Sequence, residues 1–170
     1  MLVSATTKVV VITGSVWTGG KSAPCKQLVK DGFVRPVWFT TGRNITDAEY
    51  KLISSARYHL GLAEQGVLAH LHYGGDEVGI LNEDFEKAAE QSEHGVLIVG
   101  PAEIAAQVAA KIPHTVIFTM KDNGMELSHH LEVAQRAGQL VRINVNALEP
   151  GAWDAVHEAM AIKLGLPIAE

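Results

Sequence analysis

The chain has 170 residues, with 47% apolar and 19% charged side chains, and this balance excludes a disordered chain and fits one globular domain with a full core. Its formal charge is -5 at pH 7. No overall positive field therefore attracts nucleic acid or anionic lipid, and any phosphate-binding site must be local.

Cysteine content and hydropathy indicate the cellular compartment of the protein. Cys25 is the single cysteine, so no intramolecular disulfide can form, which fits a reducing compartment. The apolar run at residues 9–12 is too short for a signal peptide, and no segment approaches the ~20 apolar residues that span a bilayer. We therefore expect a cytoplasmic protein without nucleic-acid or membrane partners, and no pattern predicts its oligomeric state.

The first part of the chain alternates short apolar runs with segments of helical period, which predicts an α/β fold with a parallel sheet. Residues 8–13 form a central strand in this interpretation, because four β-branched apolar residues follow one another. A helix is expected at 22–30. A second strand is expected at 33–39, and it should lie near an edge or pair only after Pro36, because proline cannot donate to a neighbouring strand.

The rest of the chain continues this alternation. The spacing over residues 46–62 predicts a helix that includes Tyr50. Residues 67–73 alternate as a small strand or hairpin before a glycine turn. The later elements are a helix at 81–90 capped by Asn82, a strand at 96–99, a helix at 103–111, a strand at 115–120, a helix at 125–137, a strand at 140–145 and a helix at 151–163. No linker divides the chain, so residues 1–170 are expected to form one domain with one sheet.

The most informative segment is VVVITGSVWTGGKS, residues 9–22. An apolar strand leads into a glycine-rich loop and Lys-Ser then opens a helix, which is the arrangement of a nucleotide P-loop. In such a loop, backbone N–H groups and the lysine bind the phosphates of ATP, and the serine hydroxyl binds Mg2+. The predicted ligands are Gly14, Ser15, Thr18, Gly19, Gly20, Lys21 and Ser22, with Lys21 catalytic and Ser22 the metal ligand.

One position departs from that motif. The strict pattern has a glycine where this chain has Ser15, and Gly14 lies one place early. The alternative interpretation is therefore a glycine-rich turn between strand and helix in which Lys21 is merely solvated.

Further segments follow the loop in a familiar order: FTTGR at 39–43, VGI at 78–80 and INVNAL at 143–148. With the loop, they resemble the guanylate kinase family over nearly the whole chain. The resemblance implies a three-layer P-loop fold with a mostly parallel central sheet, and a kinase that uses ATP and Mg2+. It also implies roles for particular residues: Arg43, after an inserted Gly42, and Tyr50 on the acceptor phosphate, Thr41 beside them, and Asn146 beside the ATP base.

The departures from the family are also informative. Ala69 stands where guanylate kinases read guanine with a glutamate, so GMP should be a poor acceptor. Only Glu103 follows the central 96–99 strand, where the family has acidic residues. The arginine-rich lid is shortened to residues 121–139, with Arg136 its one arginine and His129 and His130 nearby.

The acceptor region of this chain, residues 66–80, resembles that of relatives that phosphorylate phosphosugars more than that of guanylate kinases. Its AHLHY segment suggests His70 as an acceptor contact. His70 and His72 share a strand face and could instead chelate a metal, but no third ligand has a suitable spacing. His129 and His130 are expected to point apart on a helix.

The sequence therefore predicts an ATP-dependent, Mg2+-requiring phosphotransferase. Its partner is a small phosphorylated molecule, a nucleoside monophosphate other than GMP. One alternative is a phosphosugar kinase of the ribose-bisphosphate type. The other is a catalytically impaired protein that keeps the kinase fold to bind a nucleotide or a protein.

Overall fold

The computed structural model describes residues 4, 6–13, 23–42, 49–121, 128–144 and 151–166. The strands within these residues are β1 (Lys8–Thr13), β2 (Phe33–Val34), β3 (Trp38–Thr40), β4 (Tyr50–Leu52), β5 (Val67–Tyr73), β6 (Asp76–Leu81), β7 (Gly95–Val99), β8 (Val116–Lys121) and β9 (Leu140–Asn144). The helices are α1 (Ala23–Lys30), α2 (Ser55–Ala63), α3 (Asn82–Gln91), α4 (Ala102–Lys111), α5 (Glu132–Arg136) and α6 (Ala152–Leu164), with a 3-10 turn at His129–Leu131. None of these helices is long and apolar enough to cross a membrane.

The main sheet has five strands in the order β2-β7-β1-β8-β9, and all neighbours are parallel. The central strand β1 is covered on both faces. Val10 and Ile12 pack with α1 and α6, whereas Val9 and Val11 belong to a core shared with α3 and α4. A strand without a wet face needs an uninterrupted apolar run, which is why the sequence of β1 was informative. The predicted α/β class with a parallel central sheet is confirmed.

A second sheet has the order β4-β3-β6-β5 and mixes parallel and antiparallel pairs. The prediction of a single sheet is therefore wrong. The predicted strand at 33–39 is in fact two strands, β2 in the main sheet and β3 in the second. Pro36 lies between them, and because it has no N–H to donate, the chain leaves one sheet there and enters the other. The predicted acceptor region, residues 66–80, forms most of the β5-β6 hairpin.

Tyr50 lies in a strand, and the prediction of a helix at this position is wrong. It pairs with Trp38 across β3 and β4, and their ring centroids are 6.1 Å apart. The helix begins only at Ser55, because the Ser54 hydroxyl accepts a hydrogen bond from the Arg57 N–H at 3.0 Å. The spacing of Tyr50 from the apolar residues of α2 happens to match a helical period, but aromatic residues also favour strands.

Two smaller predictions also fail. Asn82 does not cap its helix; it is the first residue of α3, and its side-chain amide donates to the Gln65 carbonyl at 2.9 Å. His129 and His130 do not point apart. They lie in the 3-10 turn, and their ring centroids are 4.0 Å apart. The predicted helix at 125–137 is represented in the described residues by this turn and α5.

Helix α4 fixes the second sheet to the main body. β5 is an edge strand, so its outward backbone groups need partners. The Gln107 amide supplies two: its Oε1 accepts from the His70 N–H at 3.0 Å, and its Nε2 donates to the His70 carbonyl at 2.7 Å. Lys111 Nζ donates to the carbonyls of Val67 and Leu68 at 2.7 and 2.6 Å. Burial lowers the pKa of the Lys111 ammonium.

Candidate nucleotide and acceptor site

The predicted phosphate loop lies between two elements that the structure describes. β1 ends at Thr13 and α1 begins at Ala23, so the strand and helix expected on either side of the loop are confirmed. β1 lies between β7 and β8. From β1 the chain continues to β2 on one side of the sheet, whereas from β8 it continues to β9 on the other side, so the strand order reverses here. Open α/β sheets bind ligands in the crevice outside the carboxyl ends of strands at such a point. The loop ligands themselves lie outside the described residues: Gly14, Ser15, Thr18, Gly19, Gly20, Lys21 and Ser22.

The carboxyl end of β7 lies beside that of β1. The Gly100 N–H donates to the Ile12 carbonyl at 3.1 Å, so β1 and β7 end together. Trp38 of the second sheet reaches this place: a Cβ added to Gly100 would lie 3.0 Å from Trp38 Cη2. The indole is only 7% exposed. The second sheet therefore contacts the main sheet where β1 and β7 end, and a methyl group at Gly100 would fit there only if the Trp38 ring shifted slightly.

The segment leading to Arg43 is anchored by backbone contacts. The buried Thr40 hydroxyl accepts from the Gly42 N–H at 3.1 Å. The Thr41 N–H donates to the Glu77 carbonyl, and the Thr41 hydroxyl accepts from the Glu77 N–H, both at 3.0 Å. The Asp76 carboxylate lies directly against Gly42, so a larger residue at this position would require the Asp76 side chain to move. Arg43 and Asn146 lie outside the described residues.

His70 belongs to a polar network on the face of the second sheet that α2 covers. The Tyr58 hydroxyl lies 3.0 Å from His70 Nδ1 and donates to Glu77 Oε2 at 3.3 Å. Glu77 Oε1 lies 2.8 Å from His72 Nδ1. Burial, followed by the charge and the hydrogen bond of Glu77, raises the pKa of Tyr58. The phenol therefore stays protonated and can donate to the Glu77 carboxylate.

The opposite face of the second sheet is apolar and closed. Ala69 and Ile80 are fully buried, and Val78 is 5% exposed. Ala69 and Ile80 share a core with Trp38 and with α4 residues such as Ala105. Tyr50 packs against the same core.

The structure thus divides the described candidate residues between the two faces of the second sheet. His70 lies on the outer face, in the network of Tyr58 and Glu77, and Thr41 contacts the backbone of Glu77. Tyr50 lies on the inner face against Trp38. Sequence reasoning did not identify Trp38, Tyr58 or Glu77. Gly100, directly after an apolar strand, was the available sign that a large side chain approaches there.

The two histidines of β5 contact neighbouring side chains. His70 and His72 share a face as expected, but their Nδ1 atoms contact Tyr58 and Glu77 respectively. Across the described parts of the chain, no group of three potential ligands is arranged to hold a metal ion.

These features define an α/β protein with a guanylate kinase-like fold. Among solved structures, the chain is similar to guanylate kinase from Anaplasma phagocytophilum, with a TM-score of 0.59 and 12% sequence identity. The match covers 94% of this chain and 87% of that chain. No family model matches the sequence, and no curated protein sequence matches it.

Proposed function

We propose that the protein is a phosphotransferase that uses ATP and Mg2+ to phosphorylate a small phosphorylated acceptor. The observation that carries the proposal is the guanylate kinase-like fold over 94% of the chain, with the glycine-rich segment between β1 and α1 at the topological switch point. In this proposal Lys21 and the loop amides hold the donor phosphates, and Asn146 lies beside the base. The Ser22 hydroxyl, a hard oxygen ligand, suits Mg2+, which neutralises phosphate charge when bound.

The reaction needs positioning and charge neutralisation more than covalent chemistry. An oxygen of the acceptor phosphate forms a bond to the γ-phosphorus while the bond from that phosphorus to the β,γ-bridging oxygen breaks, and ADP leaves. A dianionic acceptor oxygen carries no proton, so no general base is required. We assign the acceptor phosphate to Arg43, with Thr41 beside it and His70 nearby on β5. Tyr50 packs against Trp38 on the opposite face of the second sheet and is left out of this assignment. The hydrogen bond from the Gly42 N–H to the Thr40 hydroxyl fixes the chain up to the residue before Arg43.

Within this function, we propose that the acceptor is not GMP. Ala69 occupies the place of the guanine-reading glutamate in the family resemblance, and it is fully buried against α4. Each unmatched polar group on a guanine edge would cost ~1–3 kcal/mol. A nucleoside monophosphate with another base is the first candidate. A phosphosugar, which has no base to be read, is the second candidate.

A protein that binds a nucleotide without turnover is the alternative from another class. The contact of Trp38 with Gly100 favours it, since this position after β7 carries an indole contact rather than an acidic side chain. Such a protein would keep the fold and the phosphate loop and would lack transfer activity.

Two measurements on the same preparation separate these functions. Calorimetric titration with ATP and Mg2+ reports binding, and an ADP-release assay across nucleoside monophosphates and sugar phosphates reports transfer. Acceptor-dependent ADP release supports the kinase and identifies the acceptor class. Binding without release supports the nucleotide-binding alternative, and the absence of both contradicts the proposal.

A further inference from the structure

The inner face of the second sheet, which packs on α4, is closed at one end and open at the other. Ala69 of β5 lies at the closed end and is fully buried. Leu71 and Tyr73 follow it on the same face, because side chains alternate along a strand. Leu71 is partly buried against the main core, whereas Tyr73 is 68% exposed. Within the described part of this face, the end that carries Tyr73 is therefore the accessible one.

A carboxylate lies beside Tyr73 at this open end. Asp76 of β6 is the residue that pairs with Tyr73, so both side chains lie on the inner face. The Asp76 carboxylate lies directly against Gly42 of the neighbouring segment. Asp76 is half-buried, and no group of the described residues forms an ion pair or a hydrogen bond with its carboxylate. A half-buried acceptor with unused capacity favours a ligand that brings a hydrogen-bond donor.

The surroundings of this pair favour a flat ring over a sugar. The next pair on the same face, Leu71 and Val78, is apolar. Thr40 lies beside Val78, but it is 1% exposed and its hydroxyl already accepts a backbone hydrogen bond. A sugar presents several hydroxyl groups that each need a partner when they are buried. An aromatic ring with a donor on its edge matches an exposed tyrosine ring next to one carboxylate.

We propose that this open end binds the base of a nucleoside monophosphate, with Tyr73 stacking on the ring and Asp76 accepting a hydrogen bond from an exocyclic amine; this inference rests on the proposed function. The acceptor is then CMP or AMP, which carry such an amine. UMP and IMP have a carbonyl oxygen in its place, which a carboxylate repels. Tyr73 lies four residues beyond Ala69 on β5, so the site is distinct from the position at which the family resemblance places the guanine-reading glutamate.

The test compares ligands that differ at that amine. Calorimetric titration without ATP measures the dissociation constants of CMP, UMP, AMP, IMP and ribose 5-phosphate. The wild type should bind CMP about tenfold more tightly than UMP, or AMP about tenfold more tightly than IMP, and the pair that shows the preference identifies the base. Ribose 5-phosphate, which has no base, should bind more weakly than the preferred nucleotide. Equal binding within both pairs, or equally tight binding of ribose 5-phosphate, overturns the inference.

Variants assign the preference to the two side chains. Asp76→Asn should reduce the preference to about twofold or less, because an amide can also donate to a carbonyl oxygen. Tyr73→Leu should weaken both members of the preferred pair about tenfold, whereas Tyr73→Phe keeps the ring and should bind like the wild type. Asp154→Asn is the matched control, since this exposed carboxylate lies in the first turn of α6, on the other face of the main sheet. An unchanged preference in Asp76→Asn, or wild-type binding in Tyr73→Leu, overturns the assignment.

ADP release by the wild type separates this inference from the proposed function. Release that depends on CMP or AMP supports both. Release with other acceptors alone supports the phosphotransferase and overturns the base site. Amine-selective binding without release supports the base site and contradicts phosphoryl transfer, and the absence of both binding and release overturns both.

Discussion

Gly79, in the second sheet, has no room for a side chain. It lies on β6 between β3 and β5, and a Cβ there would overlap the Ala69 carbonyl and lie 2.8 Å from the His70 Cα. Backbone atoms of a paired strand cannot move aside without breaking the pairing. Gly79 therefore sets how closely β5 approaches the rest of the sheet.

We predict that Gly79→Ala destabilises the protein by about 1–3 kcal/mol, because the new methyl group forces β5 away from β6. Thermal unfolding should show a lower Tm, by roughly 2–4 °C for each kcal/mol. Gly66→Ala is the control, since its Cβ would meet its nearest neighbour at an ordinary 3.6 Å. A Tm for Gly79→Ala equal to that of the control contradicts this packing.

Arg43 carries the acceptor side of the proposed function. A charge-assisted contact to a phosphate contributes ~1.5–3 kcal/mol, so Arg43→Ala should lower kcat/KM for the acceptor roughly tenfold to a hundredfold. ATP affinity should stay nearly constant, because Lys21 and the loop amides hold the donor. Arg43→Lys should recover only part of the loss, since an ammonium lacks the two-pronged geometry. Equal weakening of ATP and acceptor in steady-state kinetics would place Arg43 outside the acceptor site.

Tyr58 gives the second sheet a dependence on pH. Its pKa is raised, so the folded protein holds the phenol proton more tightly than the unfolded chain, and this stabilisation is lost as pH rises above the ordinary value of 10.0. At pH 7, Tyr58→Phe should lower the free energy of unfolding by ~1–3 kcal/mol through the lost bond to Glu77. Urea unfolding should show the difference between wild type and variant narrowing above pH 10. If the difference in free energy of unfolding stays constant or widens above pH 10, the raised pKa of Tyr58 is contradicted.

At the scale of elements, the packing of α4 against β5 joins the two sheets. Gln107 contributes both an acceptor and a donor to the backbone of His70, and Lys111 donates to the neighbouring carbonyls. These bonds take the place of the strand that an edge would otherwise recruit. They hold the candidate acceptor region at a fixed position relative to the main sheet.

We predict that Gln107→Ala lowers the free energy of unfolding by ~1–3 kcal/mol, because it leaves the His70 N–H and carbonyl without partners in a partly buried place. Hydrogen exchange of the His70 amide should accelerate more than that of amides in β1. Gln91→Ala, at the exposed end of α3, is the matched control and should change neither quantity. Unchanged exchange at His70 in Gln107→Ala would contradict this role for the side chain.

The sequence predicts the elements best where one local signal decides. The bounds of β1 and α4 were predicted nearly to the residue. Their signals, an apolar run and an alanine-rich segment, depend only on the residues of the element itself. Tyr50 was misassigned because a three-residue strand offers too few positions to establish a period. The sequence showed that Pro36 interrupts the strand at 33–39. It did not show that the two halves join different sheets, because strand pairing depends on residues far away in the chain.

At the scale of the whole molecule, the alternation of strands and helices was sufficient to predict a parallel α/β sheet. The contacts between the two sheets were not predictable. Trp38 meets Gly100 across 62 positions, and Tyr58 meets Glu77 across 19. Neither pair has a local pattern, since the first exists because the two sheets pack together and the second because α2 covers the second sheet. The sequence therefore predicted which residues belong to the candidate site. Only the fold shows that they lie on opposite faces of the second sheet.

The most direct test of the account is the loss of transfer in Lys21→Ala. Lys21 is assigned to the β- and γ-phosphates, so its removal should abolish acceptor-dependent ADP release while the circular dichroism spectrum and Tm stay close to those of the wild type. Lys26→Ala removes an exposed lysine from α1 and should retain the wild-type rate. An unchanged rate of ADP release in purified Lys21→Ala would contradict the central claim that residues 14–22 bind the phosphate donor.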